Sequence, residues 1–148
     1  MEPNIHINGM AILVAVVANF IFGYIWYTVL FGKAWATEMK FDMTQKPPAS
    51  VMFRGMALMI VGNILMAFVF AHNIAVWNPV TWAQPAIPGW ENTSMWPAAI
   101  FTWLGFYLPQ DLSKLAWENK SMKLFFINAI YHLLSLVIAA FILIKMMF

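Results

Sequence analysis

The sequence predicts an all-α integral membrane protein in which residues 1–148 form one domain, a four-helix bundle. Three observations support this prediction: 63% of the residues are hydrophobic, only 9% are charged, and the mean hydropathy is +0.74. Soluble domains carry roughly 25% charged residues. Backbone polar groups inside a bilayer must be hydrogen-bonded within a helix or a closed barrel, and the apolar segments lack the alternation of barrel strands.

Four apolar segments are the predicted spans, because a helix needs roughly 20 apolar residues to cross a bilayer. They cover residues 5–31, 55–77, 92–110 and 124–144. The third reaches spanning length only when uncharged residues at both ends are included. A cleaved signal peptide is the alternative for the first segment. The acidic Glu2 and the length of the apolar stretch disfavour it.

The basic residues predict the orientation of the spans. Seven of the eight lie on one side, in the two loops that join spans one to two and three to four: Lys33, Lys40, Lys46, Arg54, Lys114, Lys120 and Lys123. We call this side the lysine-rich end and the other side the terminal end. By the positive-inside rule the lysine-rich end is cytoplasmic. The sequence therefore predicts a multi-pass protein of the bacterial inner membrane with both termini in the periplasm.

The loops at the two ends differ in composition. At the lysine-rich end apolar residues recur every three to four positions among charged ones, as Trp35, Met39 and Met43 and as Leu112, Leu115 and Ala116. This pattern predicts a short interfacial helix in each cytoplasmic loop. The loop near residues 78–95 is rich in tryptophan and proline. It is expected to lie on the outer interface, and a stacked-aromatic ligand site is the alternative.

The two halves of the chain share a spacing that indicates an internal repeat. Gly23 and Gly105 are each followed twelve residues later by a tryptophan, Trp35 and Trp117. The second span of each half carries an asparagine and a histidine. A duplicated hairpin would place the halves about an axis along the membrane normal, and convergence at membrane interfaces is the alternative.

Three segments carry a family resemblance: the run from Gly23 to Trp35, the segment Trp103-Leu104-Gly105-Phe106, and the run from Asn128 to Leu136. Together they resemble a family of small bacterial four-helix membrane proteins, the domain-of-unknown-function family numbered seventeen sixty-one. The aromatic-Gly-Lys-x-Trp segment is the most specific part. The resemblance implies an integral membrane fold with no established activity, so it assigns no catalytic or binding residue.

Span one carries a stripe of small residues at four-residue spacing, formed by Ala11, Ala15, Asn19 and Gly23. Such a stripe lets another helix approach closely, so we expect it to be a helix-packing face. Asn19 lies near the middle of the bilayer and is expected to hydrogen-bond to another helix. Contact with a ligand is the alternative for its amide.

Span four places Asn128, His132 and Ser135 on one helix face. Lipid disfavours such a face, so it must point into the bundle, a subunit interface or a water-filled crevice. Asn63 of span two is expected at the depth of His132 and is its predicted partner. Two roles are open for His132. It is either a neutral, hydrogen-bonded side chain, or a group that relays protons or binds a solute. In the second role the other polar residues of the spans would line the pathway.

Several function classes are disfavoured by composition. The chain has no cysteine, which excludes disulfides and thiolate chemistry. His6 and His72 lack the further ligands that a metal site requires. No acid-base constellation and no phosphate-binding loop is found in the sequence. We therefore expect a protein without enzymatic activity, bound metal or cofactor. The net charge of +2 is too small for a nucleic-acid partner.

Two functional hypotheses remain. The first is a homo-oligomeric permeation or solute-binding unit in the lipid bilayer. The alternative is a non-catalytic accessory subunit that docks on another membrane complex and stabilises it, with the small-residue stripe of span one as its docking face.

Overall fold

The computed structural model describes residues 2–42 and 44–148, and in these ranges the chain is α-helical without β-strands. The elements in chain order are α1 (Gly9–Tyr24), a first π-helical segment (Ile25–Leu30), α2 (Gly32–Glu38), α3 (Ala49–Trp77), a 3-10 turn (Pro79–Trp82), α4 (Trp90–Thr93), α5 (Met95–Thr102), a second π-helical segment (Trp103–Tyr107), α6 (Leu108–Trp117) and α7 (Met122–Met147). Met43 of the predicted amphipathic pattern lies outside the described residues.

Three helical stretches are long and apolar enough to cross a membrane: Gly9–Leu30, Ala49–Trp77 and Met122–Met147. They correspond to predicted spans one, two and four. The remaining predicted span lies in the helical stretch from Met95 to Trp117, which is not one of the three. This stretch is less apolar because its last part, α6, carries charged residues. A fourth span therefore stays a prediction.

Side-chain caps mark where the first and last long helices begin. The Asn8 side-chain oxygen accepts hydrogen bonds from the backbone N–H groups of Met10 and Ala11, at 2.9 and 3.3 Å. The Ser121 hydroxyl accepts one from Leu124 at 3.1 Å. These bonds satisfy N–H groups that have no partner within the first turn of a helix.

Helix α1 runs antiparallel to α7, as the contacts at both of its ends demonstrate. At the terminal end the Asn8 amide donates to the Met146 carbonyl at 3.0 Å. At the lysine-rich end the Trp26 indole N–H donates to the Ile127 carbonyl at 3.1 Å. Helix α7 packs against α1, α3, α5 and α6 and is the centre of the bundle.

The apolar core lies in the terminal half of the bundle and consists largely of alanine. Fully buried alanines from four helices line it: Ala11, Ala15, Ala67, Ala71, Ala99, Ala139 and Ala140. Leu136, Leu143 and Ile144 of α7 fill the space between them. Small residues let the backbones approach closely, which is how helices associate in lipid.

The small-residue stripe of span one is buried within the chain. Ala11, Ala15, Asn19 and Gly23 are all buried. A Cβ added to Gly23 would lie 2.9 Å from the Tyr131 hydroxyl and 3.1 Å from the Met59 methyl carbon, so α3 and α7 already occupy this face. The expectation that the stripe is a docking face for another protein is therefore wrong.

The first half of α3 contrasts with the stripe, because it packs against almost nothing. Residues 49–62 are exposed except for the half-buried Met59. Apart from the helix's own nearby backbone, no atom of the described residues lies within 4 Å of a Cβ built on Gly55 or Gly62. The helix diverges from the bundle toward the lysine-rich end.

The two halves of the chain repeat the same order of elements. Each half begins with a helix that runs into a π-helical segment, continues as a short helix, and is followed by a long helix. A duplicated hairpin predicts this order. The two short helices differ, however: α2 begins after a bend at Phe31, whereas α6 follows the second π-helical segment without a break. The predicted separate helix after Asp111 is thus the end of a longer helical stretch.

Candidate solute-binding site

A buried carboxylate–imidazole pair joins α6 to α7 near the lysine-rich end. Asp111 is 3% exposed, and its Oδ2 is hydrogen-bonded to Nδ1 of His132 at 2.7 Å. Its Oδ1 accepts from the Lys114 ammonium at 3.3 Å. A carboxylate buried this deeply is costly unless it is paired on both oxygens, and here it is.

The predicted partnership between His132 and Asn63 is wrong. The Asn63 amide donates to the Met59 carbonyl of its own helix at 3.0 Å, while His132 is paired with Asp111. Depth explains the difference. Met59 and Tyr131 meet at Gly23, so Asn63 lies one helical turn beyond this level and His132 lies close to it.

The sequence pattern does not reveal Asp111, because the residue follows the apolar segment and falls in the predicted loop after span three. The spacing of Trp103, Tyr107 and Asp111 contained the missing signal. These residues are four apart, so a helix that continues past Pro109 presents all three to the same neighbour. In the structure all three contact α7.

Aromatic rings surround the Asp111–His132 pair. The ring centroids of Tyr107 and Tyr131 lie 5.1 and 5.6 Å from that of His132. The Tyr27 hydroxyl donates to the Asn128 side-chain oxygen at 3.0 Å, and its ring is 4.8 Å from that of Tyr131. We call this group of side chains the Asp111 cluster: Tyr27, Tyr107, Asp111, Asn128, Tyr131 and His132.

Two tryptophans hold the helices in place on either side of Asn128. The Trp26 indole donates to the Ile127 carbonyl, and the Trp103 indole donates to the Ala129 carbonyl at 2.8 Å. Each tryptophan belongs to one of the two π-helical segments. Such segments locally widen a helix and occur often at functional sites. Here they place the indole donors against the backbone of α7.

A cavity of about 230 Å³ opens beside the cluster, between α2, α6 and α7. We call it the Asp111 pocket. Its polar lining comprises Asp111, Lys114, Glu118, Lys120 and Asn128, and Trp35 and Phe125 are its aromatic lining. Drug-sized pockets measure roughly 300–1,000 Å³, so this pocket suits a smaller solute. Asn128 and Asp111, the hydrogen-bond partner of His132, therefore line the same pocket.

The other predicted polar residues lie deeper, at one level of the bundle. Asn19, Asn63 and Ser135 are each one turn beyond the contact between Gly23, Met59 and Tyr131, and all three are buried. We call them the mid-helix layer.

The expected interhelical hydrogen bond of Asn19 is not found. In the parts of the chain that the structure describes, neither the nitrogen nor the oxygen of its amide has a hydrogen-bond partner. Nearby polar groups are used locally, since the Asn63 amide bonds within α3. Asn19 is therefore a buried amide whose hydrogen-bonding capacity is unused.

A larger cavity of about 640 Å³ lies between α3 and α5 in the terminal half. Its lining is mainly aromatic and aliphatic, with Phe70, Trp77 and Phe101 among its residues, and no charged residue takes part.

Within residues 2–42 and 44–148, no group of three or more histidine, aspartate or glutamate side chains is placed to hold a metal ion. His72 instead bonds the Phe68 carbonyl of its own helix at 2.8 Å.

Comparison with known proteins identifies the family and leaves the biochemical role open. No curated protein and no solved structure matches the chain. The family described as "Protein of unknown function (DUF1761)" matches residues 10–144, a range that includes the whole Asp111 cluster. The chain therefore belongs to the DUF1761 family.

Proposed function

We propose that the chain is a non-enzymatic protein of the bacterial inner membrane that binds a polar solute in the Asp111 pocket and acts as a homo-oligomeric permeation unit for protons. One observation carries the proposal: a buried carboxylate–imidazole pair adjoins a polar pocket at one end of the bundle. Ionisable groups among membrane helices usually mark solute or proton pathways.

The pair of Asp111 and His132 also connects solute binding to proton movement. Asp111 Oδ2 and His132 Nδ1 are 2.7 Å apart and share one hydrogen bond. Histidine changes charge near neutral pH more readily than any other side chain. A solute that contacts Asp111 competes with His132 and Lys114 for the carboxylate, so binding would disturb the hydrogen bond between the pair.

The surroundings of the histidine do not support catalysis through a nucleophilic side chain. A nucleophilic mechanism requires a hydroxyl or thiol within hydrogen-bonding distance of the base. Among the residues described, His132 has only the Asp111 carboxylate as a hydrogen-bond partner. The pair therefore suits proton transfer or solute binding.

Two features of the fold support the proposed topology and assembly. The helical stretch from Met95 to Trp117 is the proposed third span, which places both termini on the periplasmic side. The exposed first half of α3, with Gly55 and Gly62, is the proposed contact between copies, since small residues allow close helix contact. A C-terminal reporter that is active only in the cytoplasm would contradict this topology.

Proton flux into proteoliposomes tests the proposed function. The purified protein is reconstituted with a pH-sensitive dye inside, and a potassium diffusion potential is applied. We expect flux through the wild type and at least a tenfold loss in Asp111→Asn, which keeps the size of the side chain but cannot carry charge. Asp42→Asn, an exposed loop substitution, is the matched control.

Folding of each variant is checked by elution volume and helical circular dichroism. Equal flux in Asp111→Asn and Asp42→Asn would contradict the role of the ion pair. A wild type that conducts no protons under any potential would contradict the permeation proposal.

A further inference from the structure

We infer that the ligand of the Asp111 pocket is a small zwitterion, with an ammonium group and a carboxylate or phosphate group a few bonds apart. The inference rests on the proposed function, because it names the class of solute that the pocket binds. The observation that carries it is the presence of both signs of charge in one small cavity: Asp111 and Glu118 with Lys114 and Lys120.

The two lysines supply the anion-binding side of the pocket. Lys114 donates to Asp111 at 3.3 Å, and its side chain is 45% exposed. An ammonium group has three donors, so two remain for a ligand. Lys120 is half-buried beside the pocket and forms no ion pair with any described residue. An anionic group between these two ammonium groups gains charge-assisted hydrogen bonds.

The cation-binding side combines a carboxylate with aromatic rings. Glu118 is exposed at the pocket, and no ion pair ties it to another described residue. The Trp35 ring packs against Tyr27 and Phe41, with ring centroids 5.5 and 5.4 Å away, and these contacts hold its orientation. An ammonium group over an aromatic face is attracted by the ring electrons.

A ligand with a single charge fits this pocket less well. An isolated anion would meet the carboxylates of Asp111 and Glu118, and an isolated cation would meet the ammonium groups of Lys114 and Lys120. Juxtaposed like charges oppose binding. A zwitterion satisfies both sides at once, and a volume of about 230 Å³ limits it to a compact molecule.

Two sources could supply this chemistry. The pocket lies at the ends of the helices, where the phospholipid headgroups of a bilayer are found. The ligand is therefore either a free zwitterion or the phosphoethanolamine headgroup of a lipid. Both present an ammonium group and an anionic group at short separation.

Calorimetric titration of the detergent-solubilised full chain tests the inference. The probes are phosphoethanolamine and β-alanine as zwitterions, and ethanolamine and inorganic phosphate as single-charge fragments. We expect a zwitterion to bind at least tenfold more tightly than either fragment. We also expect Lys120→Gln and Glu118→Gln to weaken this binding at least tenfold. Lys46→Gln, an exposed lysine outside the pocket, is the control and should bind like the wild type.

Native mass spectrometry distinguishes the two sources. Protein released from nanodiscs of phosphatidylethanolamine or phosphatidylglycerol is examined for bound lipid. Selective retention of phosphatidylethanolamine that Lys120→Gln abolishes would identify the headgroup as the source. Zwitterion titration without selective lipid retention would identify a free solute.

Three results would overturn the inference: equal binding of a fragment and the zwitterions, no effect of either pocket substitution, or neither zwitterion binding nor selective lipid retention. Each leaves the proton-flux result intact. Conversely, zwitterion binding in a protein whose flux does not depend on Asp111 would contradict the permeation proposal only.

Discussion

The two halves of the helical bundle are held together by different interactions. In the terminal half, α1, α3, α5 and α7 meet through alanines whose side chains are fully buried, with leucine and isoleucine between them. In the lysine-rich half, α3 is exposed, and the two π-helical segments and α6 meet α7 through large aromatic rings, indole hydrogen bonds and the Asp111–His132 hydrogen bond. The first kind of packing lies beside a cavity without charged lining residues, and the second surrounds the pocket that contains charged side chains.

The difference indicates which end of the bundle is open to solutes. Polar side chains extend from Asp111 through His132 and Tyr131 to the mid-helix layer at Asn19. Beyond this layer the buried residues of the described helices α1, α3, α5 and α7 are apolar, and the buried polar residues Asn78 and Thr81 lie just after α3. The polar region is therefore connected to the lysine-rich end, where the Asp111 pocket lies. A solute that crosses the protein requires the alanine-lined helices to separate, or a path between copies.

The largest expected effect comes from removing the Asp111 carboxylate of the lysine-rich half. Asp111→Leu leaves His132 and Lys114 without their hydrogen-bond partner, and loss of hydrogen bonds to a charged group costs about 1.5–3 kcal/mol. Unfolding in mixed detergent micelles measures this loss. Asp42→Leu, which changes an exposed carboxylate, is the control. Equal stability of the two variants would show that the pair does not hold α6 on α7.

Overpacking of the small-residue stripe is expected to have the next largest effect. Gly23→Leu forces a side chain into the space of Tyr131 and Met59, which costs about 1–3 kcal/mol. Gly62→Leu is the matched control, because nothing lies within 4 Å of its Cβ. We expect Gly62→Leu to retain stability but to lower the oligomeric mass if copies meet along α3. Equal stability losses in both would contradict the assigned packing.

A smaller effect, of opposite sign, is expected at the boundary between the two halves. Asn19→Leu removes a buried amide without a hydrogen-bond partner and should raise the free energy of unfolding by about 1 kcal/mol. Detergent unfolding measures the change, with Asn63→Leu as the comparison because that substitution also removes a hydrogen bond. A loss of stability in Asn19→Leu would mean that the amide has a partner in the membrane.

The smallest expected effect concerns the tryptophan anchors. Trp103→Phe removes the hydrogen bond to the Ala129 carbonyl but keeps an aromatic ring, so it should cost about 0.5–1.5 kcal/mol. Trp117→Phe is the control, since that indole is 87% exposed. The difference in unfolding free energy between the variants measures the bond. No difference would show that ring packing alone holds the second π-helical segment.

The sequence by itself determined the helical class and three of the apolar helices. The mean hydropathy of a segment depends only on its own residues. The helices α1, α3 and α7 can therefore be recognised without knowing which helices pack against them. The spacing of Ala11, Ala15 and Gly23 by multiples of four residues likewise places them on one helix face, because the periodicity of an α-helix is set by local backbone geometry. The sequence also identified Asn128, His132 and Ser135 as residues that cannot all face lipid.

Only the tertiary structure decided which groups these residues meet. The pairing of His132 with Asp111 depends on a helical stretch that continues past Pro109 and on its rotation against α7. Likewise, the burial of Asn19 without a partner depends on how neighbouring helices are offset along their axes. Such offsets are set by side-chain packing between distant parts of the chain. A shift of about one turn, some 5.4 Å, is enough to change every hydrogen-bond partner.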